Sequence, residues 1–189
     1  MSTTSNKPVK FIAIFTMLAG LLMIIAGGTT WGLVQSQLKD EHITVAAVTP
    51  ENPGRLAGKD VAGPFTAYAQ AAAIERHALD GAAGKTYAQI GADATALKAK
   101  LKAGGATDAD IATNADVVAL AATRTTTMNG SFLRASLFTS VVSFGIAALV
   151  IGLGLLFILI GFALMKVASP SVVAVETAEP RAGAAPAKA

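Results

Sequence analysis

The sequence predicts an all-α membrane protein, a two-helix transmembrane hairpin with a small, mainly helical extracytoplasmic domain. Three observations predict it. Two long stretches, residues 11–34 and 137–165, hold no charged residue. Between them, residues 35–136 form an alanine-rich segment with ten Lys or Arg and ten Asp or Glu. Lys7 and Lys10 precede the first stretch and Lys166 follows the second, so both flanks that share a side of the hairpin are basic. Of the 189 residues, 53% are apolar. An ordinary soluble chain carries about 45–50% with glycine included, and the excess here falls in the two stretches.

The first stretch, at about 1.5 Å per residue, covers roughly 36 Å, which crosses a hydrocarbon layer of about 30 Å with some tilt. A cleavable leader would end near Ala26-Gly27-Gly28, but the apolar run continues to Val34 and Trp31 stands where an interfacial aromatic anchor belongs. An uncleaved anchor is the expectation. The second stretch has sixteen Leu, Ile, Val or Phe between Val141 and Leu164, an insertion gain of order 5–10 kcal/mol. The basic flanks put both termini in the cytoplasm, with residues 1–10 as a short N-terminus and residues 166–189 as a tail. Arg134, at the outer end of the second stretch, reduces that asymmetry. The tail is rich in Pro and Ala from Ser169 onward and is expected to be disordered.

Helices in lipid gain little from apolar burial and rely on close backbone approach. Gly20 and Gly27 are seven apart in the first span, as are Gly145 and Gly152 in the second, where Gly154 and Gly161 repeat the interval. An antiparallel hairpin would set Gly27 beside Gly145 and Gly20 beside Gly152, unless these faces meet lipid or another subunit. Thr29 and Thr30 would then bond across to Thr139, Ser140 and Ser143. Neither span holds an ionisable residue, which argues against a proton relay or ion pathway.

In the outer segment, residues 42–48 are rich in β-branched side chains and could pair with residues 58–62 in a short β-hairpin. Gly63-Pro64 opens a helix to Leu79 with Phe65, Tyr68, Ala72 and Leu79 on its inner face. A second helix, residues 87–102, places Ile90, Ala94, Leu97 and Leu101 inward and ends at Gly104-Gly105. Thr107 and Asp110 form a capping box for a third, with Ile111, Ala115, Val118 and Ala122 inward. So thin a core expects support from the hairpin or a partner.

Chemical motifs are sparse. Gly84-Lys85-Thr86 lacks the earlier glycine and the preceding strand of a phosphate loop. There is no cysteine, and no serine sits in a nucleophile elbow. His42 and His77 are the only histidines. With Asp80, one helical turn from His77, they are the weak candidates for a metal site; no metal or cofactor is expected. Arg134 is expected either to pair with Asp40 or Glu41 at the neck of the hairpin or to snorkel to lipid head groups. No basic stripe suggests nucleic acid.

Several segments resemble a family of small actinobacterial two-helix membrane proteins of unknown function. They are Gly28-Thr29-Thr30-Trp31, residues 38–45 (LKDEHITV), 63–70 (GPFTAYAQ), 77–79 (HAL), 84–88 (GKTYA) and 131–141 (SFLRASLFTSV). Residues 92–123 look like an insertion. Members often carry the automatic label of aromatic ring-opening dioxygenase LigA, whose soluble fold and iron motif this chain does not share. The resemblance supplies no catalytic residue. It directs attention to polar residues beside the membrane: Tyr68, Gln70, His77, Lys85, Tyr87 and Arg134. The function expected is a non-catalytic accessory subunit of an envelope complex in the plasma membrane, in contact with lipid and with a protein partner or a second copy. The alternatives are a metal-dependent envelope enzyme using His42 and His77, and a binder of lipid or a small ligand.

Overall fold

The computed structural model describes residues 6–169; the expected tail therefore lies outside the described residues from position 170 onward. The chain forms five helices there: α1 (Lys7–Asp40), α2 (Pro64–Gly81), α3 (Tyr87–Ala103), α4 (Asp108–Thr113) and α5 (Ala115–Ala168). α1 and α5 are long and apolar enough to cross a membrane. α5 runs for 54 residues, about 80 Å, and each of the other four helices packs on it.

α5 departs from the expected three outer helices. The residues expected as a third outer helix and as the second span form one rod from Ala115 to Ala168. The only interruption is at Asn114, whose extended backbone (φ −63°, ψ 127°) ends α4 and whose side chain accepts from the N–H groups of Asp116 and Val117 to start α5. Beyond that cap nothing breaks the ladder: threonine is a poor helix former but tolerated, and Gly130, the one glycine ahead of the apolar stretch, has Ala78 and Ile74 of α2 packed on it. The restart also resets the helical phase, so Val117 is buried and the expected Val118 is exposed.

α1 and α5 meet along a seam of small residues. A Cβ on Gly20 would lie 2.5 Å from the Gly154 carbonyl oxygen, and one on Gly154 would lie 2.6 Å from that of Gly20. Gly27 faces the backbone of Ala147 and Ile151, and Gly161 faces Ala13 and Met17. The pattern is a heptad on both helices, with Ala13, Gly20 and Gly27 against Ala147, Gly154 and Gly161, which suits an antiparallel left-handed pair. Gly20 and Gly27 thus lie where expected. Gly145 and Gly152 do not: no atom lies within 4 Å of a Cβ on either. The Gly154–Gly161 heptad takes the seam because it continues through Ala147 and Ala168, both buried, whereas the 145–152 phase points away from α1. The expected interhelical hydroxyl bonds are absent as well. Thr29, Thr30, Thr139, Ser140 and Ser143 each donate to the carbonyl four residues earlier in their own helix.

No strand forms among the described residues. The pairing of residues 43–45 with 58–61 amounts to one antiparallel bridge, Thr44 with Asp60, and three backbone bonds of 2.8 Å. The ladder stops because the Ala46 N–H donates to the Gln70 side chain instead (2.7 Å) and the Val48 N–H turns to Pro53. On α2 the inner face is Ala67, Ala71 and Ile74, while Phe65 and Tyr68 point outward. Ala67 and Ala71, fully buried, and Gly130 of α5, against which Ala78 and Ile74 pack, keep the two helices close. The core that results joins Val45, Val61, Ala67 and Ala71 to Leu38, Leu137 and Phe144 of the long helices. α4 begins with the expected box: Thr107 accepts from the Asp110 N–H, and Asp110 accepts from the Thr107 N–H and hydroxyl. Those bonds hold the Asp110 carboxyl below its ordinary value of 3.8. The stability they contribute is present above that ordinary value and is lost as pH falls through the lowered one.

The seam makes a contrasting prediction. Gly154→Leu is expected to destabilise the protein by about 1–3 kcal/mol, because the helices must part. Gly152→Leu is expected to leave thermal unfolding in detergent nearly unchanged. Equal losses would refute the seam.

Candidate functional site

Outside the apolar segments, one face of α5 forms a continuous wall for two adjoining clefts. Both contain Tyr87, the first residue of α3. Thr86 places that ring by capping α3: its hydroxyl accepts from the Gln89 N–H, and Gln89 accepts from the Thr86 N–H at 2.8 Å. The outer cleft, about 260 Å³, lies between α3 and α5 and is walled by Lys98, Val117, Arg124, Thr125 and Met128 among others. The Arg124 guanidinium stacks over the Tyr87 ring at 4.3 Å from its centre, a contact of about 0.5–1 kcal/mol where exposed. Neither Lys98 nor Arg124 forms an ion pair among the described residues. The cleft is therefore cationic, with an aromatic floor.

The inner cleft, about 130 Å³, lies between α2, the start of α3 and α5, closer to the apolar segment. Arg134 donates from Nη2 to Glu75 Oε2 at 2.8 Å and lies over the Phe138 ring. Its Nε is buried without an acceptor among the described residues. Asp40 and Glu41, the expected partners of Arg134, are elsewhere. They line a separate cleft with Ser136 and Ser140. Two residues along a helix is a rotation of about 200°, so the α5 face that carries Ser136 toward α1 turns Arg134 toward α2.

No family model, curated protein or solved structure matches this chain.

Of the weak metal candidates, His77 and Asp80 line one cleft beside residues 47–50, and His42 is not among its lining. His77 Nε2 bonds the Ala47 carbonyl at 2.9 Å, and Asp80 pairs with Arg76 at 3.2 Å. His42 lies at the end of α1 in the left-handed region (φ 51°), where the chain turns out of the helix. Among the described residues no three of His, Asp and Glu cluster as metal ligands. Gln70 is structural, holding Ala46, and Lys85 pairs with Asp93 at 2.6 Å. Tyr68 packs edge-on against Phe138. Sequence reasoning missed Glu75, Lys98 and Arg124. For Arg124 the signal was available in α5, where Val117, Ala121, Arg124, Met128, Ser131 and Arg134 follow a helical three-four spacing; Glu75 on α2 and Lys98 on α3 carried no such signal. Treating residues 123–136 as the end of a domain hid that spacing.

The Glu75–Arg134 pair is partly exposed, so its worth is modest. A double-mutant cycle with Glu75→Gln and Arg134→Gln is expected to give a coupling of about 0.5–1 kcal/mol in detergent unfolding. The cycle of Asp40→Asn with Arg134→Gln is expected to give none. The reverse result would restore the neck pairing.

Proposed function

We propose that the chain is a non-catalytic, multi-pass integral membrane protein that docks a protein partner on its extracytoplasmic helices, as an accessory subunit of a bacterial envelope complex. The observation that carries the reading is the cationic cleft of Lys98, Arg124 and Tyr87, built on a helix continuous with an apolar segment. A long rod of this kind holds a recognition surface at a set height above a membrane. Unpaired cations beside an aromatic ring fit an acidic segment of a partner, since charge-assisted bonds and stacking supply both steering and grip. Lys7, Lys10 and Lys166 at the opposite ends favour a cytoplasmic placement of both termini. The engagement of His77 and Asp80 in other bonds favours this reading over a metal-dependent enzyme. A small anionic ligand in the same cleft is the second reading, favoured by its volume of about 260 Å³.

Purification of tagged protein from its native membrane in mild detergent tests the proposal. A stoichiometric protein partner is expected, with at least a tenfold loss of it in Lys98→Glu/Arg124→Glu. A lone monomer or homo-oligomer would overturn the reading. A small anion found by mass spectrometry and lost in the same variant would establish the second reading in its place.

A further inference from the structure

The height of α2 relative to a bilayer follows from its register on α5. Gly130 meets Ala78 and Ile74, Arg134 meets Glu75, and Tyr68 meets Phe138 with ring centres 5.9 Å apart. Position rises along α5 as it falls along α2. The two helices are therefore antiparallel, and Pro64 is the end of α2 that lies beside the apolar segment. Lower still, Trp31 packs edge-on against Phe144 at 4.7 Å.

That Trp31–Phe144 pair marks a boundary. Twenty residues, about 30 Å, measured from Phe11 reach Thr30, and twenty measured back from Met165 reach Ile146. Both counts begin beside a lysine, Lys10 or Lys166. The aromatic pair thus stands at the outer edge of the hydrocarbon layer, and the headgroup layer adds about 5–7 Å beyond it. Phe138 lies six residues above Phe144, about 9 Å, and Phe65 lies one turn of α2 below Tyr68, which leaves it about 5 Å above the pair. Phe65 is 80% exposed and Tyr68 58%. Below Phe138, on the same face of α5, come the exposed Val142, Ile146 and Leu149, so the outward face of α2 continues an apolar stripe without a step.

We infer that the first turn of α2 is a third membrane contact, with Phe65 seated in the lipid headgroup layer and Tyr68, packed on Phe138, just above it at its watery face. The inference rests on the membrane reading above. It explains why this helix turns its aromatic face outward and its alanines inward: rings with an apolar body favour the boundary between acyl chains and water. It also makes α2 a strut between the bilayer and the clefts, since Glu75, at mid-helix, fixes Arg134.

The chain has no cysteine, so a single introduced cysteine carries one nitroxide label in an otherwise native protein. The full-length variants Leu22→Cys, Phe65→Cys and Phe132→Cys, each at an exposed position, would be reconstituted in phosphatidylcholine–phosphatidylglycerol vesicles. Collision rates with oxygen and with a water-soluble nickel chelate would then be compared. The oxygen-to-nickel ratio at Phe65 is expected to be severalfold above that at Phe132 and below that at Leu22. A ratio at Phe65 equal to that at Phe132, with Leu22 lipid-like, would overturn the inference and leave the membrane reading standing. Water-like ratios at all three would overturn both.

Discussion

The unbroken hydrogen-bond ladder of α5 is the constraint on which the rest of the structure depends. One helix supplies the partner for α1 at its apolar end, for α2 in its middle and for α3 and α4 at its far end. Each neighbour is fixed by a different chemistry. α1 is held by backbone approach at Gly20, Gly27, Gly154 and Gly161. α2 is held by Ala67, Ala71 and Ala78 and by one ion pair. α3 rests on an arginine stacked over Tyr87. The order of these chemistries along α5 follows the change of surroundings expected along a rod that leaves a membrane.

Small residues serve both ends of that rod for different reasons. In hydrocarbon, side-chain burial gains little, and glycine contributes by letting backbones touch and dispersion contacts accumulate. In water, apolar burial does contribute, at about 25 cal/mol per Å², but alanine offers little area. α2 compensates by joining its alanines to Leu38, Leu137 and Phe144, which belong to the long helices. The outer core is therefore not separable from the hairpin. Val45 and Val61, on the loop before α2, share their buried cluster with Leu38 of α1 and Leu137 and Phe144 of α5 as well as with the alanines of α2.

The two apolar helices, the start of α2, the end of α3 and the Thr107 cap were legible in the sequence, because each rests on local chemistry: uninterrupted apolar runs, Gly63-Pro64, Gly104-Gly105 and a side chain three residues from its partner. What was not legible needed tertiary register. Two glycine heptads competed for the seam of α5, and spacing alone does not say which one faces α1. Phe65 and Tyr68 have the pattern of a core face, yet alanine won the interior because proximity to α5 mattered more than side-chain size. Arg134 had acidic residues at a similar height on α1, but a rotation of two residues gave it to Glu75. The cleft residues Lys98 and Arg124 were missed for a further reason. They become neighbours only once α5 is continuous, and a run of threonines from Thr123 to Thr127 is a weak helix signal.

Those threonines bear on how tightly the rod is bound to any one depth. Thr123, Thr125, Thr126, Thr127 and Ser131 each return a hydroxyl proton to the carbonyl one turn earlier, as Thr139, Ser140 and Ser143 do farther down. Each hydroxyl is thereby satisfied without water. From Ala135 to Met165 the helix has no charge, a length of about 46 Å against a hydrocarbon layer of about 30 Å. A thicker bilayer could cover more of α5 without stranding one of its hydroxyls, as far as the foot of α2. On the membrane reading, this surplus of uncharged helix would let α5 tilt or shift to suit membranes of differing thickness, and the aromatic collar at the foot of α2 would limit how far.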